Sequence, residues 1–253
     1  GLIEVTAGTI GSMQIVTGDP AYTPPSIINA GVIKVDEKFE LDGLNLIIKP
    51  DPESFRAPTM EELIKNLIDK RVLIIDGAMG TQLQIADIKK EEWFFEDLDL
   101  EGCNELLNLT APHILETIHD NYAKAGADLI STNTFGSMPW VLDEYKIGHT
   151  SYELSKLGAQ LVKKSCEKYS TPEKPRFVVA SIGPGTKLPS LGHIKYDEMY
   201  EGYKIMAQGL ADGGTDIFLL ETCQDPLQIK AALHALNDTA PHIPIMVSVT
   251  IEL

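Results

Sequence analysis

After residue 58, amphipathic helical stretches alternate five times with short apolar runs, and this rhythm constrains the fold more than any other feature of the 253-residue chain. Thr59 and Glu62 have the spacing of a capping box. They open a predicted helix over residues 60–69 that carries Leu63, Leu67 and Ile68 on one face. The run Arg71-Val72-Leu73-Ile74-Ile75 follows, apolar enough to predict a strand covered on both faces. Further helices are predicted over residues 112–125, 152–169 and 197–212, and another is opened by Asp225-Pro226. They precede predicted strands over residues 127–132, 177–182, 216–220 and 245–251. Strands joined through helices run parallel, because short hairpins cannot connect parallel neighbours.

Each apolar run ends in a polar or turn-forming group: Asp76-Gly77, Asn133-Thr134, Gly183-Pro184, Glu221-Thr222 and Thr250. In a parallel α/β barrel such strand ends converge on one mouth, where enzymes of that fold place their sites. An open doubly wound sheet would more often show G-x-G-x-x-G after its first strand, and Asp76-Gly77-Ala78-Met79-Gly80-Thr81 does not fit that pattern. The expected fold class is therefore α/β, a (β/α)8 TIM-type barrel with about five βα units present.

Residues 1–58 read differently, as a β-rich N-terminal extension or the end of a preceding module, with residues 59–253 as the barrel portion. Extended pieces are expected over residues 13–17, 31–36 and 44–49, separated by Gly18-Asp19-Pro20, Pro24-Pro25 and Asp42-Gly43. The Asp-Gly pair is a hairpin signal. Gly8-x-x-Gly11 is too weak to be a phosphate loop, and no Lys-Ser or Lys-Thr follows it.

Against 21 Lys+Arg stand 37 Asp+Glu, a formal charge of -16 that would repel nucleic acids and anionic membranes. No apolar stretch reaches the roughly 18 residues of a bilayer span, and residues 1–12 lack the pattern of an export signal. Cys103, Cys166 and Cys223 are far apart and in no paired spacing, which suits reduced thiols and a cytoplasmic setting. H-E-x-x-H, C-x-x-C, G-x-S-x-G and P-loop patterns are absent from the sequence, so the chemistries they support are not expected.

At the strand ends the residues resemble a family. Ile75-Asp76-Gly77-Ala78-Met79-Gly80-Thr81 is similar to the first-strand signature of the homocysteine S-methyltransferases. Further matches follow in the family's order: Leu106-Leu107-Asn108-Leu109-Thr110 with Ile118-His119 and Tyr122, then Ala125-Gly126-Ala127-Asp128 with Thr132-Asn133-Thr134-Phe135. Ser181-Ile182-Gly183-Pro184, Gly213-Gly214 and Glu221-Thr222 complete the series, which spans roughly the last three-quarters of the chain. Within the family, the first two segments resemble the homocysteine-binding module of the cobalamin-dependent branch that makes methionine.

The resemblance implies a methyltransferase portion that binds homocysteine within a longer parent. A methyl group would pass from methylcobalamin to the homocysteine thiolate, with cobalamin and folate modules elsewhere in the polypeptide. Asp76 and Glu221 could receive the substrate ammonium between them through charge-assisted contacts. Backbone amides around Gly77, Ala78, Gly80 and Thr81 could approach its carboxylate as an anion nest. Asn133 and Thr134 would add neutral hydrogen bonds, although polar residues at strand ends also support neighbouring loops. His119 reads as a core histidine and His193 as an exposed loop residue.

Family members activate the thiol with zinc held by three cysteines, one after the sixth strand and an adjacent pair near the eighth, and zinc deprotonates a bound thiol. No residue here matches those positions, so zinc and cobalamin are expected for the complete enzyme and neither for this chain alone. Cys166 falls in an outer helix and Cys103 in a loop, leaving only Cys223 near the mouth. One alternative is a stand-alone homocysteine methyltransferase using a small onium donor; another is a non-catalytic amino-acid-binding scaffold. With five units of eight legible, the chain is expected to be a part of a barrel whose open edges favour association.

Overall fold

The computed structural model describes residues 58–251 and the backbone of residues 41, 42, 45 and 46. The chain divides between Ala57 and Pro58 into two units. In the first, β1 (Leu41–Asp42) and β2 (Asn45–Leu46) pair antiparallel, with Asp42 opposite Asn45. Antiparallel pairing is thus present where the Asp42-Gly43 hairpin is expected, while residues 43 and 44 lie outside the described residues. The extended pieces expected over residues 13–17 and 31–36, most of that over 44–49, and Gly8-x-x-Gly11 lie outside the described residues.

The second unit opens with α1 (Met60–Ile68), whose Thr59 Oγ1 accepts from the Glu62 N–H while the Thr59 N–H donates to the Glu62 carboxylate. This is the predicted capping box. Then come α2 (Met79–Ile85) and a short antiparallel pair, β3 (Phe94–Phe95) and β4 (Leu98–Asp99). Helices α3 (Leu107–Thr110) and α4 (Pro112–Ala125) lead to β5 (Leu129–Ser131). The remaining elements are α5 (Pro139–Leu142), α6 (Ser151–Tyr169), β6 (Phe177–Ile182), α7 (Tyr196–Asp212), β7 (Ile217–Cys223), α8 (Pro226–Thr239) and β8 (Ile245–Val249). Strands β5, β6, β7 and β8 form a parallel sheet in that order.

The side-chain period of two divides the sheet into two faces. One face, with Ile130, Val178, Ala180, Ile182, Phe218 and Leu220, packs on the helices through residues such as Met199, Tyr203, Met206 and Leu236. The other carries Leu129, Phe177, Val179, Ile217 and Leu219, and α1 covers it with Met60, Leu63, Ile64 and Leu67. Those four positions follow the i, i+3, i+4, i+7 stripe of an amphipathic helix. Ile68, expected on that face, is instead 58% exposed, because it lies a further 100° around the helix from Leu67.

The strand expected over residues 71–75 is reduced to a parallel bridge between Ile75 and Leu129. Nor is it covered on both faces, for Val72 is 83% exposed and Ile74 59%. The cause is its position at the sheet edge: Ile74 O accepts from the Asp128 and Leu129 N–H groups, the Asp76 N–H donates to Leu129 O, and no second strand flanks it among the described residues. Asp128 anchors this edge. Its carboxylate takes a bidentate bond from Arg71 at 2.8 and 2.9 Å and another from the Ile74 N–H at 2.9 Å. Burial pushes the Asp128 carboxyl up, but these donors outweigh it and hold the group below the usual carboxylate range.

Helices α6 and α7 approach closely where α7 carries glycine. A Cβ at Gly209 would lie 2.3 Å from Tyr152 O, and one at Gly213 would lie 2.5 Å from Lys156 O. Gly209→Ala gains about 1 kcal/mol in helix propensity. The clash is with backbone, however, which cannot rotate away, and overpacking of this kind costs typically about 1–3 kcal/mol. A net loss of up to about 2 kcal/mol is therefore expected in urea unfolding, and a raised midpoint would refute the close-packing argument.

Candidate functional site

The apolar inner face of the sheet turns polar toward the C-terminal ends of the strands. By the period of two, Ser131 follows Leu129, Ser181 follows Phe177 and Val179, and Glu221 follows Ile217 and Leu219. Asp76 joins them from the edge beside β5. Both Asp76 carboxylate oxygens accept from Ser131, one from its N–H at 2.9 Å and the other from its hydroxyl at 2.7 Å. Glu221 Oε1 accepts from the Ser181 hydroxyl at 2.6 Å. The two predicted carboxylates thus end an arc in which a serine from each intervening strand joins to one of them.

Burial raises the Asp76 carboxyl above its ordinary value; the Ser131 donors oppose that rise and the negative charge of Glu221 adds to it. Among the described residues, neither carboxylate forms an ion pair with a protein cation. At Glu221 the strand is bulged. Its pairing with β8 steps from Leu220 opposite Val247 to Cys223 opposite Val249, so β7 holds one extra residue, and Thr222 adopts a φ of 61°. A positive φ is an outlier for a β-branched residue, and a bulge of this kind re-aims the neighbouring side chain.

After Asp76 the chain turns under Tyr122 of α4. A Cβ at Gly77 would lie 2.9 Å from the Tyr122 hydroxyl, which itself donates to Ala78 O at 3.2 Å. Glycine here therefore makes room for a tyrosine. Ala78 precedes α2 without any side-chain cap, a Cβ at Gly80 would meet nothing within 4 Å, and Thr81 is exposed in the first turn. Asp76, Gly77 and Tyr122 also line a cavity of about 310 Å³ beside α4. A larger concavity of about 450 Å³ lies on the outer helices near Tyr152, Ile205 and Asp238, away from the strand ends.

Asn133 and Thr134 are buried and bonded to neighbouring backbone. Asn133 Nδ2 donates to Asn104 O at 2.7 Å, and Thr134 Oγ1 donates to Ser181 O at 2.8 Å. Asn108 donates in turn to Asn133 O and Leu154 O, so the segment around Leu107-Asn108 is locked to the loop after β5. His119 is fully buried in α4, and neither ring nitrogen has a hydrogen-bond partner. His193 is exposed and accepts the Leu188 N–H within its own loop.

The three thiols do not fit a zinc site. Cys103 is buried in one apolar cluster, Cys166 and Cys223 in another, and burial pushes all three thiols up, Cys103 and Cys166 to about 12. Among the described residues, no three His, Cys, Asp or Glu side chains are grouped to hold a metal. No helix among them is long and apolar enough to cross a membrane.

Sequence reasoning gave Ser131 and Ser181 no role in the site, although Ser181 stands in a matched segment and alternation along β5 and β6 puts both on the face that carries Glu221. The role of Tyr122 against Gly77 and the bulge at Thr222 left no comparable signal.

The family model for homocysteine S-methyltransferase matches residues 73–253. The chain is 44% identical over 191 residues to a methionine synthase from Mycobacterium tuberculosis (strain ATCC 25618 / H37Rv), covering 74% of this chain and 16% of that protein. It is 46% identical over 187 residues to one from Mycobacterium leprae (strain TN), covering 72% and 15%. The chain thus spans only about 16% of the length of such relatives. Among solved structures, the homocysteine methyltransferase MmuM from Escherichia coli aligns in its metallated form with a TM-score of 0.61 at 20% identity, covering 75% of this chain and 67% of that one. Its oxidized form aligns at 0.58 and 21%, covering 75% and 66%. At that identity the likeness concerns the fold.

Proposed function

The chain belongs to the homocysteine S-methyltransferase family, and on that premise we propose that Asp76 and Glu221 bind the ammonium of homocysteine in the acceptor half of a methyltransferase. The observation that carries this reading is a pair of carboxylates at the two ends of one arc of strand ends, Asp76 beside β5 and Glu221 on β7, the charge of Glu221 acting on Asp76, with no protein cation on either among the described residues. An amino-acid ammonium supplies the missing positive charge and enough N–H groups to meet both. The uncapped first turn of α2 gives the substrate carboxylate its partner in this reading, through the amides of Ala78, Gly80 and Thr81. Asn133 and Thr134 act behind the site by holding its loops.

The finer reading is a homocysteine-binding portion of a cobalamin-dependent methionine synthase, with the sheet as an arc of a (β/α)8 barrel and residues 59–253 as its N-terminal portion. Identities of 44% and 46% to mycobacterial methionine synthases support the methionine synthase part of this reading. The methyl group ends on the substrate sulfur, and the part played by this chain is to fix the amino-acid end so that the sulfur is presented. Zinc is assigned to residues other than those described, since the three thiols here do not fit a metal, and methylcobalamin to another module of the longer parent.

Calorimetric titration with homocysteine tests the reading. Asp76→Asn and Glu221→Gln are each expected to weaken binding by about 1.5–3 kcal/mol, the range for hydrogen bonds to charged groups. Wild-type affinity in both variants would remove the pair from the site.

A further inference from the structure

The two carboxylates are not free side chains at the strand ends. Ser131 engages both oxygens of Asp76, through its amide at 2.9 Å and its hydroxyl at 2.7 Å, which fixes the plane of the carboxylate. Ser181 engages Glu221 Oε1 at 2.6 Å. Ser181 is itself held, its N–H donating to the Thr132 hydroxyl at 3.0 Å and its carbonyl accepting from Thr134. A hydroxyl that donates to a carboxylate leaves that oxygen further lone pairs for a second donor. From this geometry we infer that Ser131 and Ser181 are positioning residues, which orient the Asp76–Glu221 pair so that the remaining lone pairs meet one ammonium. The inference rests on the homocysteine-binding reading above.

The serines also bear on charge. Burial raises the Asp76 carboxyl, and the negative charge of Glu221 adds to that rise. The titratable groups whose charge bears on Asp76 are Glu221 of β7, Tyr122 of α4 and Cys166 of α6, and ionisation of any of them adds negative charge. Among the described residues, no salt bridge offsets them. What opposes protonation is hydrogen bonding, chiefly the amide and hydroxyl of Ser131. The amide would survive substitution of the side chain; the hydroxyl would not.

The test is a carboxyl-carbon NMR titration of Asp76 in the full chain and in Ser131→Ala and Ser131→Thr, paired with homocysteine titrations of the same proteins at pH 5 and pH 7. Ser131→Ala is expected to hold the Asp76 proton about tenfold more tightly than wild type, and to lose more homocysteine affinity between pH 7 and pH 5. Ser131→Thr keeps a hydroxyl and is expected to titrate as wild type does. Unchanged proton affinity in a folded Ser131→Ala protein, or failure of threonine to restore it, overturns the assignment of Ser131. Ser181→Ala is an independent arm, expected to bind homocysteine about tenfold more weakly; wild-type affinity there overturns the assignment of Ser181. Absence of homocysteine binding by wild type would defeat the functional reading while leaving the Asp76 titration to decide Ser131.

Discussion

Asp128→Ala is expected to destabilise the second unit by about 3–5 kcal/mol, the range for removing one partner of a buried ion pair. The Asp128 side chain is only 2% exposed. Its loss would strip the bidentate partner from Arg71, leave the Ile74 N–H without its acceptor, and remove the negative charge 3.9 Å from the buried Arg176 guanidinium. Arg71→Lys is expected to cost less, since a cation remains but the planar fork that matches both oxygens is lost. The Asp128 pKa is held low in the folded state, so its contribution is present above the ordinary carboxylate range and lost as pH falls below it. Urea unfolding at pH 7 provides the measurement. A change below about 0.5 kcal/mol, the usual range of surface substitutions, would show that Asp128 does not anchor the edge.

The second large effect concerns acid. His119 is buried with both ring nitrogens unpartnered, and burial lowers its pKa to about 4, against a small opposing pull from Asp120. Between that value and about 6.5 the unfolded chain binds a proton that the folded chain refuses. Stability at this site is therefore full above about pH 6.5 and declines as pH falls toward 4, with a total loss of about 3 kcal/mol. In His119→Leu this part of the acid limb is expected to disappear. Stability at pH 7 should change little, because the orphaned nitrogens go with the ring. Thermal unfolding of both proteins between pH 4.5 and pH 7.5 checks the difference; an acid limb equally steep in the variant would place its origin elsewhere.

Much of the fold was legible because local rules and tertiary packing agree. The Thr59–Glu62 box starts α1, Pro112 and Pro226 sit in the first turns of α4 and α8, and the run over residues 177–182 is β6 itself. Where the reading failed, the deciding fact was nonlocal. Arg71-Val72-Leu73-Ile74-Ile75 has the composition of a central strand, yet strand character depends on partners, and this segment has a neighbour on one side only among the described residues. The site shows the same division. Asp76 and Glu221 stood out as charges at the ends of apolar runs, whereas Ser131 and Ser181 look ordinary until the pairing of three strands sets them beside those charges. Gly77 was noticed for its lack of a side chain, but Tyr122, which needs that space, lies 45 residues away by the numbering.

The packing of α1 against the inner face of the sheet has an electrostatic consequence for the carboxylates. Met60, Leu63, Ile64 and Leu67 meet Leu129, Phe177, Val179, Ile217 and Leu219 directly beneath Ser131, Ser181 and Glu221 along the strands, so the charged layer rests on hydrocarbon. Water can solvate that layer from above but not from below. Field lines between a carboxylate pair and a cation seated on it run partly through a medium of low polarisability, where an effective dielectric constant of about 20 makes a contact roughly four times stronger than in bulk water. A helix that contributes no polar atom to the site thus sets how strongly the site holds a positive charge.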